Sequence, residues 1–227
     1  MKWIERFDLF LLDCDGLLVD TERLHYKAYQ TVCARYSCDL PWDFKEYLGY
    51  AHQSSEGIRK AVYSCFPDLA QLQWDELYRE KKKIYLEILM LEPPSLMPGV
   101  ETFLNELALG RKKRCVVTHS PKEQIESIKH ALPILKTVPV WITREDYEAP
   151  KPAPDGYFKA IEILADPGDQ IIGFEDSFKG LSALQKTQAL PVLVCDPDHP
   201  QLKGQDLSSA RHFTSFSKIP PNFKPVP

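Results

Sequence analysis

The sequence predicts an α/β fold: a parallel sheet with helices on both faces, broken after its first strand by an all-helical insertion. Three observations carry the prediction. Short apolar runs recur at Phe7–Leu12, Arg114–Thr118, Val138–Thr143, Gln170–Phe174 and Pro191–Cys195. Helical stripes separate the later runs, the alternation expected of a parallel sheet. The stretch from Thr21 to Leu96 has helical periodicity and no convincing strand.

The first run is bounded by charge and followed at once by Asp13-Cys14-Asp15-Gly16, so it reads as a buried strand feeding a polar turn. Next, Leu24, Ala28, Val32 and Tyr36 share one helix face that Asp20 or Thr21 is placed to cap. Leu77, Lys81, Ile84, Ile88 and Leu91 form a second stripe near the end of the insertion. The prolines of Glu92-Pro93-Pro94-Ser95-Leu96-Met97-Pro98-Gly99 block helix continuation and make a stiff linker back to the second strand. Beyond it, helices are marked by Ile125, Ile128 and Leu132, by Phe158, Ile161 and Leu164, and by Phe178, Leu181 and Leu184. The expected division is a core of residues 1–20 and 97–227 with a helical unit of residues 21–96, and a proline-rich tail at Ile219–Pro227.

Composition narrows the class. With 227 residues, 44% hydrophobic and 26% charged, the chain is an ordinary globular one. A formal charge of −4 gives no reason to expect a nucleic-acid partner, although a local pocket can still be positive. The six cysteines form no CxxC pair, and four lie in apolar patterns, so free thiols in a reducing cytoplasm are expected. The charged start Met1-Lys2-Trp3-Ile4-Glu5-Arg6 does not suit a secretory signal, and no run approaches the ~18 apolar residues of a membrane span. A monomer with no membrane partner is expected.

Four motifs carry chemistry. In Asp13-Cys14-Asp15-Gly16 two carboxylates one residue apart project to the same side of an extended chain, which is unfavourable unless a cation or proton compensates. Gly16 permits a sharp exit from the strand. Such a pair suits a nucleophile beside an acid/base, although an acidic turn looks the same. Thr118, with His119 and Ser120, sits where a hydroxyl and helix N–H groups can hold a phosphate oxygen, and equally where a helix needs a cap. Lys151 is flanked by prolines in Pro150-Lys151-Pro152, a restricted cation suited to a phosphoryl group or to an ordinary surface loop. Gly173-Phe174-Glu175-Asp176 ends a strand on adjacent acids, which suit a hard divalent cation or a helix start. Together, in this order and at the sheet end where ligands bind, they supply a nucleophile, an acid/base, a metal site and phosphoryl ligands.

The motifs FLLDCDGLLVDTE, VVTHS, KPAPDGYFKA and GFEDSFKG resemble, in order, those of the haloacid dehalogenase-like phosphohydrolases, in the β-phosphoglucomutase-like and phosphoglycolate phosphatase-like branch. The resemblance implies a Rossmann-like core with a helical cap inserted after the first motif. It implies that Asp13 attacks phosphorus and Asp15 protonates the leaving oxygen, while Thr118, His119 and Lys151 hold the transferring group. Mg²⁺ is then held by Asp13, the Asp15 backbone carbonyl and Asp176, with Glu175 ligating or orienting its water.

The same resemblance weighs hydrolysis against phosphate transfer within one sugar. His25 matches a histidine of both mutases and phosphatases. The mutases carry a lysine and an arginine around the cap glycine, where Leu48-Gly49-Tyr50-Ala51-His52 stands here, and a neutral Leu48 cannot hold a second phosphate. Lys81 matches a mutase cap lysine but lies in Lys81-Lys82-Lys83, the pattern of a solvated helix face. The expected activity is Mg²⁺-dependent hydrolysis of a small phosphorylated metabolite, a sugar-phosphate-like monoester. The alternatives are a sugar phosphomutase and a catalytically idle phosphometabolite binder. Tyr50, His52, His25 and Lys81 are the candidate cap contacts.

Overall fold

The structure, a computed structural model, describes residues 2–53, 56–208 and 210–224, with the side chain of Gln53 left aside. Of the proline-rich tail, residues 225–227 lie outside the described residues. Six parallel strands form one sheet: β1 (Leu9–Leu12), β2 (Lys113–Val117), β3 (Val140–Ile142), β4 (Ile171–Glu175), β5 (Leu190–Val194) and β6 (Arg211–Phe213). Their order is β3-β2-β1-β4-β5-β6, so the sheet reverses direction of growth beside β1. Such a reversal opens a crevice at the carboxyl ends of the strands.

All four residues of β1 are buried, because both of its faces are covered. Phe10 and Leu12 face a layer with Phe103, Val116 and Phe174; Leu9 and Leu11 face the other, with Cys115, Val117, Tyr157 and Leu184. The first layer is closed by α5 (Val100–Leu109), whose Val100, Phe103, Leu104 and Leu107 are buried at helical spacing. This helix and the edge strand β6 are absent from the elements expected above. The α5 stripe was there to be read; β6 has three half-buried residues and no apolar run.

The second layer holds α7 (Asp155–Leu164) and α8 (Phe178–Leu184). In α7 the buried residues are Gly156, Tyr157 and Ala160, so Phe158, expected to face inward, is instead 47% exposed. A side chain at Gly173 of β4 would meet Leu184 at 2.4 Å, and glycine there lets α8 lie close on the sheet. The remaining core helix, α6 (Lys122–Ala131), buries Ile125 and Ile128 against the first layer.

Between β1 and β2 lie α1 (Glu22–Arg35), α2 (Phe44–Gln53), α3 (Gly57–Cys65) and α4 (Trp74–Leu91), with no named strand among the described residues. The two connections of this segment are tied together at its base. Val19 bridges Leu96, Asp20 N–H donates to the Ser95 carbonyl at 2.9 Å, and Met97 N–H to that of Leu18 at 3.0 Å.

Three expectations are corrected here. The Thr21 side chain does not cap α1, since its hydroxyl is spent on Asp15. Leu91, the last residue of α4, is 82% exposed rather than part of the buried stripe. Lys81, expected on a solvated face, is buried at 4% exposure. Its ammonium meets His25 Nδ1 at 2.7 Å and lies 4.7 and 5.3 Å from the ring centres of Tyr29 and Tyr85. All six cysteines are free; Cys14, Cys33, Cys115 and Cys195 are buried. Among the described residues no helix is long and apolar enough to cross a membrane.

Candidate active site

β1 delivers Asp13 directly to the crevice, where Asp13 N–H donates to the Phe174 carbonyl of the neighbouring strand at 3.1 Å. The chain then turns sharply. Gly16 has φ +78, and a Cβ there would lie 2.2 Å from Asp176 Oδ2. Glycine is needed for both reasons: the left-handed backbone and the approach of Asp176.

Lys151 is not at a strand end. It lies in the loop that follows β3 and the single turn Arg144–Asp146. That loop is fastened at several points: Arg144 donates to the carbonyls of Tyr147 (2.8 Å) and Glu148 (3.2 Å), and Tyr147 OH to that of Thr118 (3.0 Å). The ammonium of Lys151 is held between the carboxylates of Asp13 and Glu175, the latter at 2.6 Å, and donates to the Val117 carbonyl at 2.9 Å. Burial alone would lower its pKa, but Asp13 and Glu175 outweigh burial and hold it well above the usual lysine value. Lys151 is a permanent cation here.

Asp13, Glu175 and Asp176 place carboxylate oxygens within 4.8 Å of one another, all three residues buried. Burial first, then Glu175 and Asp15, push the Asp13 carboxyl up to about 8 against the opposing pull of Lys151. Burial and the Asp13 and Glu175 charges push Asp176 well above the carboxylate range. One lysine therefore does not balance three buried acids. An all-oxygen donor set with a surplus of negative charge fits a hard divalent ion such as Mg²⁺. Glu175 is the least free to ligate. It is wholly buried, receives Lys151 and Tyr157 OH on Oε1, and has the Ser177 hydroxyl 3.3 Å from Oε2.

The carboxylate of Asp15 lies outside that acidic group. Its Oδ1 accepts from Thr21 Oγ1 (2.8 Å) and Gln124 Nε2 (3.3 Å), and its Oδ2 from Ser120 Oγ (2.7 Å) and Thr118 Oγ1 (3.2 Å). Four donors from three separate parts of the chain orient this one side chain. Gln124 and Tyr157 escaped the sequence reading. Gln124, in the first turn of α6, follows Ser120 by four residues, and its amide also donates to Ser120 Oγ at 2.8 Å.

The expected site residues sort into adjoining clefts. Asp13, Asp15, Thr118, His119, Lys151 and Asp176 line one of about 560 Å³, together with His52 from α2. A second, of about 570 Å³, is shared by Asp15 and His119 and reaches His25, Lys81 and Tyr85. His119 joins the two; burial and the nearby Lys151, Arg144 and Lys179 lower its pKa to about 4, so it is neutral at pH 7. His52 Nε2 lies 3.4 Å from Glu22 Oε1. Tyr50 is not brought to Asp13: its ring packs 4.8 Å from that of Trp42, and it borders a different cleft, with Lys179 and Gln201.

The family model of haloacid dehalogenase-like hydrolases matches residues 7–186. A phosphorylated carbohydrates phosphatase from Thermotoga maritima is 25% identical over 174 residues, covering 76% of this chain and 78% of its own. A (DL)-glycerol-3-phosphatase 2 from Arabidopsis thaliana is 26% identical over 215 residues, covering 89% and 87%. Among solved structures, CbbY from Rhodobacter sphaeroides in complex with phosphate superposes with a TM-score of 0.73 at 22% identity, over 94% of this chain and 96% of that one. At that identity the likeness shows the fold, a Rossmann-like α/β core, and not the activity.

Proposed function

This chain belongs to the haloacid dehalogenase-like hydrolases, and from that premise we propose that it is a Mg²⁺-dependent phosphatase of a small sugar-phosphate-like monoester, working through an aspartyl-phosphate on Asp13. The observation that carries the reading is the convergence of Asp13, Lys151, Thr118 and Asp176, distant in sequence, on one cleft.

In this reading the Lys151 ammonium holds the phosphoryl oxygens against Asp13, joined by the Thr118 hydroxyl when it turns to them from Asp15 Oδ2, which frees that oxygen to carry a proton. A carboxylate oxygen of Asp13 attacks phosphorus, the ester P–O bond breaks, and the leaving alkoxide takes the proton of Asp15. Water then attacks the phosphorus of the aspartyl-phosphate, Asp15 takes the proton of that water, and inorganic phosphate leaves Asp13 as a free carboxylate. Asp13, Asp176 and the Asp15 backbone carbonyl would hold Mg²⁺, which supplies charge neutralisation when bound. Glu175 serves by fixing Lys151. Residues 21–96 act as the cap that closes over the substrate and presents His25, Lys81 and His52.

Hydrolysis is preferred to mutation of a sugar phosphate because the positions flanking Gly49 offer no second phosphate grip: Leu48 packs against the hydrophobic core and His52 stands beside Glu22. Phosphate release from a panel of monoesters is expected to require Mg²⁺ and to vanish in Asp13→Asn. Activity surviving in that variant refutes the mechanism. Isomerisation of a hexose 1-phosphate without net phosphate release would replace hydrolysis by the mutase reading.

A further inference from the structure

Buried polar atoms are almost always hydrogen-bonded, and an exception in a cleft is a place where a ligand supplies what the protein omits. Tyr85 on α4 is such an exception. The residue is 2% exposed, and its hydroxyl is shielded from water without a hydrogen-bond partner. It borders the cleft of about 570 Å³ that has the Asp15 carboxylate in its wall, between α4 and the first turn of α6.

The ring cannot turn away to seek a partner. It stacks on the His25 imidazole at 4.0 Å between centres and 14° between planes, and the Lys81 ammonium sits 5.3 Å from its centre. Neighbouring polar groups of the cleft are already committed: Lys81 to His25, Ser120 and Gln124 to Asp15, and Arg144 to the carbonyls of Tyr147 and Glu148. Burial, then the Asp15, Cys14 and Glu22 groups near it, raise the pKa of Tyr85 far above the ordinary tyrosine value. The group is thus a neutral O–H that neither ionises nor acts as a base. Such a hydroxyl can both donate to and accept from an uncharged hydroxyl, the two-way pairing a polyol offers.

We propose that Tyr85 is a specificity residue whose hydroxyl hydrogen-bonds a neutral hydroxyl on the alcohol part of the substrate, selecting phosphate esters of polyols and sugars over esters whose alcohol part carries no further hydroxyl. The inference rests on the phosphatase reading and adds the residue that reads the leaving group. In the structure water does not reach this hydroxyl. The substrate brings the missing partner when α4 and the start of α6 part and close around it.

Tyr85→Phe tests this without disturbing packing, since it deletes one oxygen that has no partner. Rates are measured with Mg²⁺ on glycerol 3-phosphate, on ribose 5-phosphate and on 4-nitrophenyl phosphate, whose leaving group has no hydroxyl. In the variant, kcat/KM is expected to fall at least about 10-fold more for the better polyol ester than for 4-nitrophenyl phosphate, the scale of one lost hydrogen bond. The melting temperature is expected to hold or rise. Equal losses on both ester classes, or no loss on the polyol esters, overturn the proposal. So does a lowered melting temperature, because it would mean that the hydroxyl has a structural partner. If the unaltered protein releases phosphate from none of the three, the phosphatase reading itself has failed, an outcome distinct from an equal effect in an active enzyme.

Discussion

Replacing Gly16 with alanine isolates what the turn after Asp13 does for the site. Two costs are expected. The first is backbone strain: at φ +78 an L-residue sits in the left-handed region, at about 1–2 kcal/mol. The second is collision, because the new Cβ lies 2.2 Å from Asp176 Oδ2 and 2.9 Å from its Cγ, whereas ordinary contact begins near 3.4 Å. The Asp176 carboxylate must therefore retreat by about 1 Å, and overpacking of this kind costs about 1–3 kcal/mol. The matched control is Gly168→Ala. Gly168 has φ +94 with nothing within 4 Å of a Cβ, so it carries the strain alone. Urea unfolding should then show Gly16→Ala less stable than Gly168→Ala by about 1–3 kcal/mol. Phosphate release at saturating Mg²⁺ should fall about 100-fold in Gly16→Ala only, the usual consequence of a 1 Å displacement in a reacting constellation. Equal stability of the two variants, or full activity in Gly16→Ala, would refute the argument that Asp176 needs this space.

Three further outcomes follow from the charges. Mg²⁺ at 100 times its dissociation constant should stabilise the protein by about 2.7 kcal/mol, read as a higher melting temperature, and Asp176→Asn should lose most of that rise. Because Asp13 is raised to about 8 by burial and neighbouring acids, Mg²⁺ binding near pH 7 should release protons, seen as a buffer-dependent heat in calorimetry; a buffer-independent heat counts against Asp13 as a ligand. Lys81 is lowered to about 7, chiefly by burial, from an ordinary 10.5. Between those values the unfolded chain holds a proton that the folded chain lacks, so this contribution to stability rises with pH across the window. Lys81→Met should therefore be more stable than the unaltered protein below pH 7, by a few kcal/mol at most, with the gap closing towards pH 10. A gap independent of pH would sink that account.

How far the residues alone reach can be judged from particular positions. The buried strand Leu9–Leu12, the acids that follow it and the need for glycine at 16 were legible because each is a local pattern: an apolar run, a charge boundary, a turn. The helix over Val100–Leu109 was equally legible, as its spacing shows, whereas β6 has no pattern of its own and exists because β5 offers it an edge. Lys81 carries two opposed local signals, an apolar stripe that turns it inward and a run of three lysines that looks solvated. The packing of α1 on α4 decides for the first by placing it against Tyr29 and Tyr85.

By itself the sequence determined the α/β alternation, the long helical insertion and the ordered set Asp13, Thr118, Lys151, Asp176, because periodicity and turn chemistry are properties of neighbours along the chain. Only the tertiary structure decided who meets whom. It turned Glu175 towards Lys151 and Tyr157, surrounded Asp15 with Thr21, Thr118, Ser120 and Gln124, and left the Tyr85 hydroxyl without a partner at the border of the cleft. Those choices join residues as many as 138 positions apart, as Asp13 and Lys151 are, and no local pattern encodes them. They follow from the closing of the sheet around β1, which brings the ends of separate strands, and the loops after them, to one crevice.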